Sequence, residues 1–531
     1  MKTLGIFLLT LFLFSCGDGT STGPAAAQQA VPAQASQSTT KKTPARKAIQ
    51  GFASPEAIAD AEVPIYGKGK ADFTIKVEGA QPGQSDLIGF YADQNFKADQ
   101  TQIEADGTIR FNCQNCQDGQ TNYPQGLYYV KIAHERYLQI MLGEDQQFTM
   151  QTHIGDPDGR MQVQGSDENE AFFENLKFER AGSPKFDDVN ARLKGVAQNS
   201  PQYNQLKAEM KVLTDERKAH LEGMYKKYPN TLFVSFKKAG QEPELREDKP
   251  DDQKVFYYRE DLWKNVDWSD KRLLRTPVIN NKVKRYFEQL TPQNQDSIYV
   301  SAERLVDQVL MYPPYYLFFA NWVVRTYEPT KTTLMDPEFV HVKMIQKYFT
   351  KERAFWSDSL QTFALQQRAS EMAQSLIGGQ GPDVISKDLS GKTHRLMDMK
   401  KDYVIVYMFS PSCEHCQEQT PKLVEWYNKN KANVDVYAIA LDTNVDDPNE
   451  LANYIKKTQM PFPCVWDPTN RSIYAKYYVD ITPEIYVLNP DRKIVGKNLK
   501  VFQIDTIIDS CLLYTSPSPR DQRGSRMPSS A

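Results

Sequence analysis

The stretch YVIVYMFSPSCEHCQEQTP, residues 403–421, decides how the rest of the chain is read. Its first seven residues form an unbroken apolar run, the pattern of a strand buried on both faces. From Cys413 to about Asn428 apolar residues return at helical spacing, with Leu423, Trp426 and Tyr427 on one face. Two cysteines therefore stand where a buried strand hands over to a helix. The first turn of a helix has free N–H groups and the positive end of the macrodipole. A thiolate at Cys413 is stabilised there, and the thiolate is the nucleophile of thiol–disulfide exchange. Cys416 lies one turn on, on the same face, placed to resolve a mixed disulfide. His415, when protonated, adds positive charge near the sulfur, and Glu414 opposes it. Pro421 removes an N–H from the helix interior and predicts a kink. A structural disulfide and a metal clip are the competing readings of the pair. Zinc needs two more ligands, and no second cysteine or histidine cluster lies nearby in sequence.

Outward from this stretch, strands and helices alternate. Val434 to Leu441 reads as a second buried strand, Asn449 to Thr458 and Arg471 to Tyr478 as helices, and Ile485 to Val495 as a hairpin. This pattern implies a mainly parallel sheet with an antiparallel edge over residues 381–510. Residues 169–380 carry helical periodicity broken by Pro229, Pro250, Pro292 and Pro313-Pro314, and read as an all-α domain with an aromatic-rich core. Residues 66–168 show short alternating runs, such as Phe73, Ile75 and Val77, between turn signals such as Asp106-Gly107, and predict a small β-sandwich. The fold class is thus multidomain: N-terminal β-sandwich, central helices, C-terminal α/β.

The ends differ from the body. Residues 1–15 have a lysine, then an apolar run from Leu4 to Phe14, the length of a signal peptide rather than a membrane span. Leu13-Phe14-Ser15-Cys16 resembles a lipobox, which makes Cys16 the expected lipidation site; an ordinary secretory signal is the alternative. Either leader exports the chain to a space that permits disulfides. Residues 16–65 are rich in Ala, Gln, Ser, Thr and Pro and read as a flexible tether. Residues 511–531 continue no hydrophobic period. Back-translated, they resemble sequencing-adapter DNA read through in frame, so the natural sequence is expected to depart near Ser510.

The chain has 531 residues and a formal net charge of −3, a balance that argues against a nucleic-acid binder. Of seven cysteines, five remain once Cys16 and Cys511 are set aside, too few for a disulfide-stapled scaffold. Cys113 and Cys116 form another CxxC, after a strand and with no helix to lower a thiol pKa. A local disulfide bracing a loop is the main reading, and a second redox pair the sharper one. Cys464 sits among Phe462, Val465 and Trp466 and reads as a buried, inert thiol.

Residues 403–421, the elements after them and Ile481-Thr482-Pro483-Glu484 before the last hairpin resemble the thioredoxin fold, most closely the TlpA/ResA-like thiol–disulfide oxidoreductases. The resemblance implies a cis bond at Pro483 and pairing of the Thr482 backbone with a substrate strand. The larger layout, with the stretch Trp263 to Pro277, resembles Bacteroidota-type lipoproteins with a thioredoxin-like C-terminal domain. Three positions depart from thioredoxin itself. Ser412 replaces the Trp before the first cysteine, Tyr407 the buried Asp six residues before it, and Glu414-His415 the inner Gly-Pro. The resemblance implies an enzyme of the cell envelope, lipid-anchored and facing the periplasm, with protein thiols and disulfides as partners, an unidentified electron donor and no cofactor or metal. Two other classes stay open. A peroxiredoxin-type peroxidase shares the fold, but needs a Pro-x-x-x-Thr-x-x-Cys pattern where this chain has Pro411-Ser412-Cys413. A binding or scaffold lipoprotein with a vestigial thioredoxin domain is the other.

Overall fold

The computed structural model describes residues 51–116, 119–198, 200–443, 447–466, 474–479 and 481–515. The expected leader, Cys16 and most of the tether lie outside the described residues, as do residues 516–531. Two compact units are present. One is Ala59–Leu290; the other combines Thr291 onward with the described part of Arg46–Ile58. The helical middle stretch is thus divided at Leu290.

The first unit carries β1 (Lys68–Glu78), β2 (Gly83–Tyr91), β3 (Gln94–Ile103), β4 (Thr108–Phe111), β5 (Gly126–Ala133), β6 (Arg136–Leu142), β7 (Asp145–His153) and β8 (Gln162–Gln164). The turn spacing predicts two facing sheets. Hydrogen bonding instead joins all eight strands in one sheet, ordered β6-β5-β2-β3-β4-β1-β7-β8. Periodicity marks each strand and its buried face, but says nothing about which strand it pairs with. Here β1 pairs with β7 in parallel, which links the early and late strands. Ala71, Phe73, Ile75 and Val77 alternate into the core, and Phe73 stacks on Phe148 at 4.9 Å between ring centroids. At the Asp106-Gly107 turn, Gly107 has φ +82° and a Cβ there would strike the Val77 carbonyl oxygen, so only glycine fits. Helices Asp167–Leu193, Pro201–Lys227, Leu232–Gly240, Asp251–Asp261 and Pro277–Glu288 complete the unit. The buried Glu168 carboxylate accepts from the Leu232 and Phe233 N–H groups at 2.6 and 2.8 Å, satisfying donors at the start of Leu232–Gly240.

The second unit begins with helices Gln295–Gln308, Pro313–Thr326, Glu338–Tyr348 and Ser359–Met372. A seven-stranded sheet follows: β9 (Ile385–Lys387), β10 (Thr393–Arg395), β11 (Tyr403–Phe409), β12 (Val434–Ala440), β13 (Cys464–Trp466), β14 (Glu484–Leu488) and β15 (Ile494–Gly496). The order is β10-β9-β13-β12-β11-β14-β15, with β11, β12 and β13 parallel and the edges antiparallel. Every residue of β11 is buried. Ile405, Tyr407 and Phe409 enter one core layer, and Val404, Val406 and Met408 the opposite one, as a central strand covered on both faces requires. Helix Glu414–Asn430 leaves β11 through a short turn and keeps Pro421 inside it. A last helix, Ile504–Thr515, runs across Ser510 and Cys511.

Candidate active site

Cys413 is the N-cap of helix Glu414–Asn430. Its backbone is extended, and its Sγ accepts from the Cys416 N–H at 3.4 Å. The N-cap position ordinarily favours a side-chain oxygen, because that atom satisfies a free N–H of the first turn. Sulfur takes the role here. Cys413 is half-buried and Cys416 fully buried. Both thiols are free.

Their surroundings push the two apart in acidity. Burial raises the Cys413 thiol, but hydrogen bonds from the Cys416 side chain and N–H, contact with Thr482 and the His415 N–H outweigh it, and its pKa falls below the usual thiol value. Burial pushes Cys416 up to about 12, helped by its hydrogen bond to Cys413. Of the two sulfurs, that of Cys413 ionises the more readily. Residue 415 reaches the sulfur through its backbone N–H; the His415 side chain is exposed.

The second arm of the site comes from far along the chain. The Thr482–Pro483 bond is cis. The Cys413 thiol points at the Thr482 carbonyl, 3.3 Å away. Pro483 leads into β14, which pairs antiparallel with β11 and sets Glu484 opposite Met408. The sheet therefore brings Cys413, Cys416, Thr482 and Pro483 to one corner.

Two groups beneath this corner are almost illegible in the sequence. The first is a hydroxyl chain. Thr420 Oγ1 lies 2.6 Å from the Tyr407 hydroxyl and 2.7 Å from that of Tyr454, with all three residues buried. Tyr407 occupies the position read above as departing from thioredoxin, and a neutral chain of hydroxyls stands there instead of a carboxylate. Only the i, i+4 spacing of Cys416 and Thr420 hints at it. The second is an ionic cluster behind β14. Lys497 is 1% exposed, and its Nζ lies 2.5 Å from the Glu338 carboxylate, 3.6 Å from Asp336 and 3.4 Å from the Ser375 hydroxyl. Asp336 also accepts from the Ile377 N–H at 2.7 Å. Burial pushes the Asp336 carboxyl up, against the pull of Lys497. Glu484 and Tyr486 of β14 are buried in the same body, and the Lys497 ammonium stands over the Tyr486 ring at 5.7 Å.

The other singled-out cysteines lie elsewhere. Cys464 is buried in β13, and burial raises its thiol to about 12. Cys113 and Cys116 belong to the first unit and are joined by a disulfide, with Cα atoms 5.0 Å apart. Among the described residues, no group of three or more His, Cys, Asp or Glu could hold a metal ion, and no helix is long and apolar enough to cross a membrane.

Comparison with known proteins places this site in context. Residues 377–497 match the AhpC/TSA family. The thiol-disulfide oxidoreductase ResA of Bacillus cereus is 32% identical over 123 residues, covering 23% of this chain and 68% of that protein. Among solved structures, a thioredoxin-like protein from Bacteroides caccae is 15% identical, covers 51% of this chain and 98% of its own, and has a TM-score of 0.41. A thiol:disulfide interchange protein from Bacteroides sp. is 21% identical, with 28% and 97% coverage and a TM-score of 0.25.

Proposed function

This chain belongs to the ResA family of thiol–disulfide oxidoreductases, and from that premise we propose that Cys413 and Cys416 exchange disulfides with exported proteins while Cys16 holds the enzyme to a membrane of the cell envelope. The observation that carries the reading is the asymmetric pair: a Cys413 sulfur capping a helix, a buried Cys416 behind it, and the Thr482 carbonyl beside it.

In this mechanism the Cys413 thiolate attacks one sulfur of a substrate disulfide. A new S–S bond forms, and the other substrate sulfur leaves as a thiolate. The half-buried edge at Thr482-Pro483, beside the exposed Ile481, pairs with the substrate strand. Cys416 then loses its proton and attacks Cys413, releasing the second substrate thiolate. The substrate leaves reduced by two electrons, and Cys413–Cys416 is left as a disulfide for an electron donor to reset. A low-pKa attacking thiol and a buried resolving thiol suit this sequence of steps. A Cys416→Ser chain should trap partners covalently through Cys413. If envelope preparations yield no mixed disulfide that requires Cys413, the mechanism is wrong.

Direction depends on the potential of the pair. Equilibrium with glutathione or dithiothreitol near thioredoxin's value, about −270 mV, makes the enzyme a reductant of exported disulfides. A value of roughly −180 to −120 mV makes it an isomerase or oxidant. The AhpC/TSA match supports a second reading as a peroxidase. The residues ahead of Cys413 lack the threonine and spacing that chemistry uses. Fast peroxide consumption by the reduced protein would favour it, and slow consumption dismisses it.

A further inference from the structure

We infer that Cys113–Cys116 is a second redox-active disulfide, opened by a CxxC dithiol of the kind that Cys413–Cys416 supplies. The loop that carries it lies between β4 and β5. Its geometry is held without the S–S bond. The Cys113 N–H donates to the Tyr123 hydroxyl at 2.8 Å, and that hydroxyl donates to the buried Asp99 carboxylate at 2.5 Å. Asn115 Nδ2 donates to Asp99 at 2.7 Å and to the Gln100 carbonyl at 3.2 Å. The Cys116 N–H closes the turn on the Cys113 carbonyl at 3.3 Å. Both cysteines are therefore anchored by bonds that survive reduction, and the freed sulfurs stay placed to rejoin.

As a brace, the disulfide contributes little. A cross-link stabilises mainly by shrinking the unfolded ensemble, and the gain falls with the size of the ring it closes. This ring spans four residues, Cys113 to Cys116. By linkage, the fold resists reduction of a disulfide only as far as the disulfide stabilises the fold. The bond is also reachable. Gln114 and Asn115 are exposed and Cys116 is half-buried, whereas Cys113 is buried. Exposed disulfides are among the labile ones.

The exchange balances without another reagent. The Cys413 thiolate attacks the Cys116 sulfur, the Cys113–Cys116 bond breaks, and Cys113 leaves as a thiolate. Cys416 attacks Cys413 and releases Cys116. Cys413–Cys416 ends oxidised and Cys113/Cys116 reduced, and the protons lost by the first pair are taken up by the second. This step rests on the reading of Cys413–Cys416 given above; the lability of Cys113–Cys116 does not.

The full chain, equilibrated in graded dithiothreitol buffers and read pair by pair by differential alkylation and mass spectrometry, tests both parts. For a four-residue ring, the native fold should require at most a roughly 20-fold higher reduced-to-oxidised ratio to open Cys113–Cys116 than the urea-unfolded chain does. The pair should also reclose on return to oxidising buffer. A larger shift, or a bond that stays closed while Cys413–Cys416 titrates, overturns the inference. With limiting dithiothreitol, the wild-type chain should open Cys113–Cys116 at least about tenfold faster than Cys413→Ser. Equal rates overturn the assignment of Cys413–Cys416 as the reductant. A rate unchanged by dilution marks exchange within one chain, and a falling rate exchange between copies. If Cys413–Cys416 forms no reversible disulfide, the proposed function fails, while the dithiothreitol titration still decides the second pair.

Discussion

Separating the two active-site thiols into single-cysteine chains tests the asymmetry on which the mechanism depends. In Cys416→Ser, residue 416 keeps its N–H and gains a hydroxyl, so the Cys413 sulfur retains the donors that lower its pKa. An ordinary thiol, with a pKa of about 8.5, is roughly 3% thiolate at pH 7. In Cys413→Ser, Cys416 stays buried, and burial is the main cause of a pKa near 12. Its thiolate fraction at pH 7 is about one in 10⁵, roughly 3,000-fold below that of an ordinary thiol. The more basic sulfur is the better nucleophile, which at a Brønsted slope of about 0.45 gives back roughly 40-fold. Iodoacetamide at pH 7 should thus alkylate Cys416 about 80-fold more slowly than an ordinary thiol, and Cys413, whose pKa is lowered, should react well ahead of it. Burial of Cys416 widens the gap further. The assay is mass spectrometry of quenched time points on each variant, with far-UV circular dichroism to show that both are folded. Rates within a few-fold of each other, or faster labelling of Cys416, would refute the assignment of attacking and resolving thiols.

Three further perturbations follow from the same corner. His415→Pro deletes the N–H that reaches Cys413 and should raise its pKa, whereas His415→Ala should leave it in place, since the ring is exposed; thiolate absorbance against pH separates the two. Thr420→Val strips the shared partner from two buried phenols, an expected loss of about 1–3 kcal/mol for each hydroxyl left unpaired. Adding Tyr407→Phe should recover part of it, and a denaturant midpoint that does not move rejects the hydroxyl chain as a structural element. Lys497→Met leaves the buried Asp336 and Glu338 without their cation. A broken buried pair costs about 3–5 kcal/mol, which at ~2–4 °C per kcal/mol for a body of this size lowers Tm by roughly 6–20 °C at pH 8. Burial raises the Asp336 pKa, so its contribution to stability is full at low pH and lost as pH rises through the folded value. The Tm drop should therefore shrink at pH 5, and an equal drop at both pH values contradicts the cluster.

Local chemistry alone placed the decisive elements of the second unit. YVIVYMF is apolar at every position, so it had to be a strand covered on both faces, and CEHC had to stand at the mouth of the helix after it. Residue type and short-range period suffice for that, because strand burial and helix capping act within a few residues. What lies close in space but far along the chain was decided by the tertiary fold. Thr482 reaches Cys413 across 69 positions because β14 pairs with β11. Tyr454 meets Thr420 across 34, and Lys497 meets Glu338 across 159, in packed layers that no periodicity encodes. The same holds for the eight N-terminal strands. Alternation told which faces are buried, but the parallel pairing of β1 with β7 drew the strands into one sheet. The sequence pattern marks which face an element turns inward; how deeply a side chain is buried and what it meets there are set by long-range packing, and so are the acidities that separate Cys413 from Cys416.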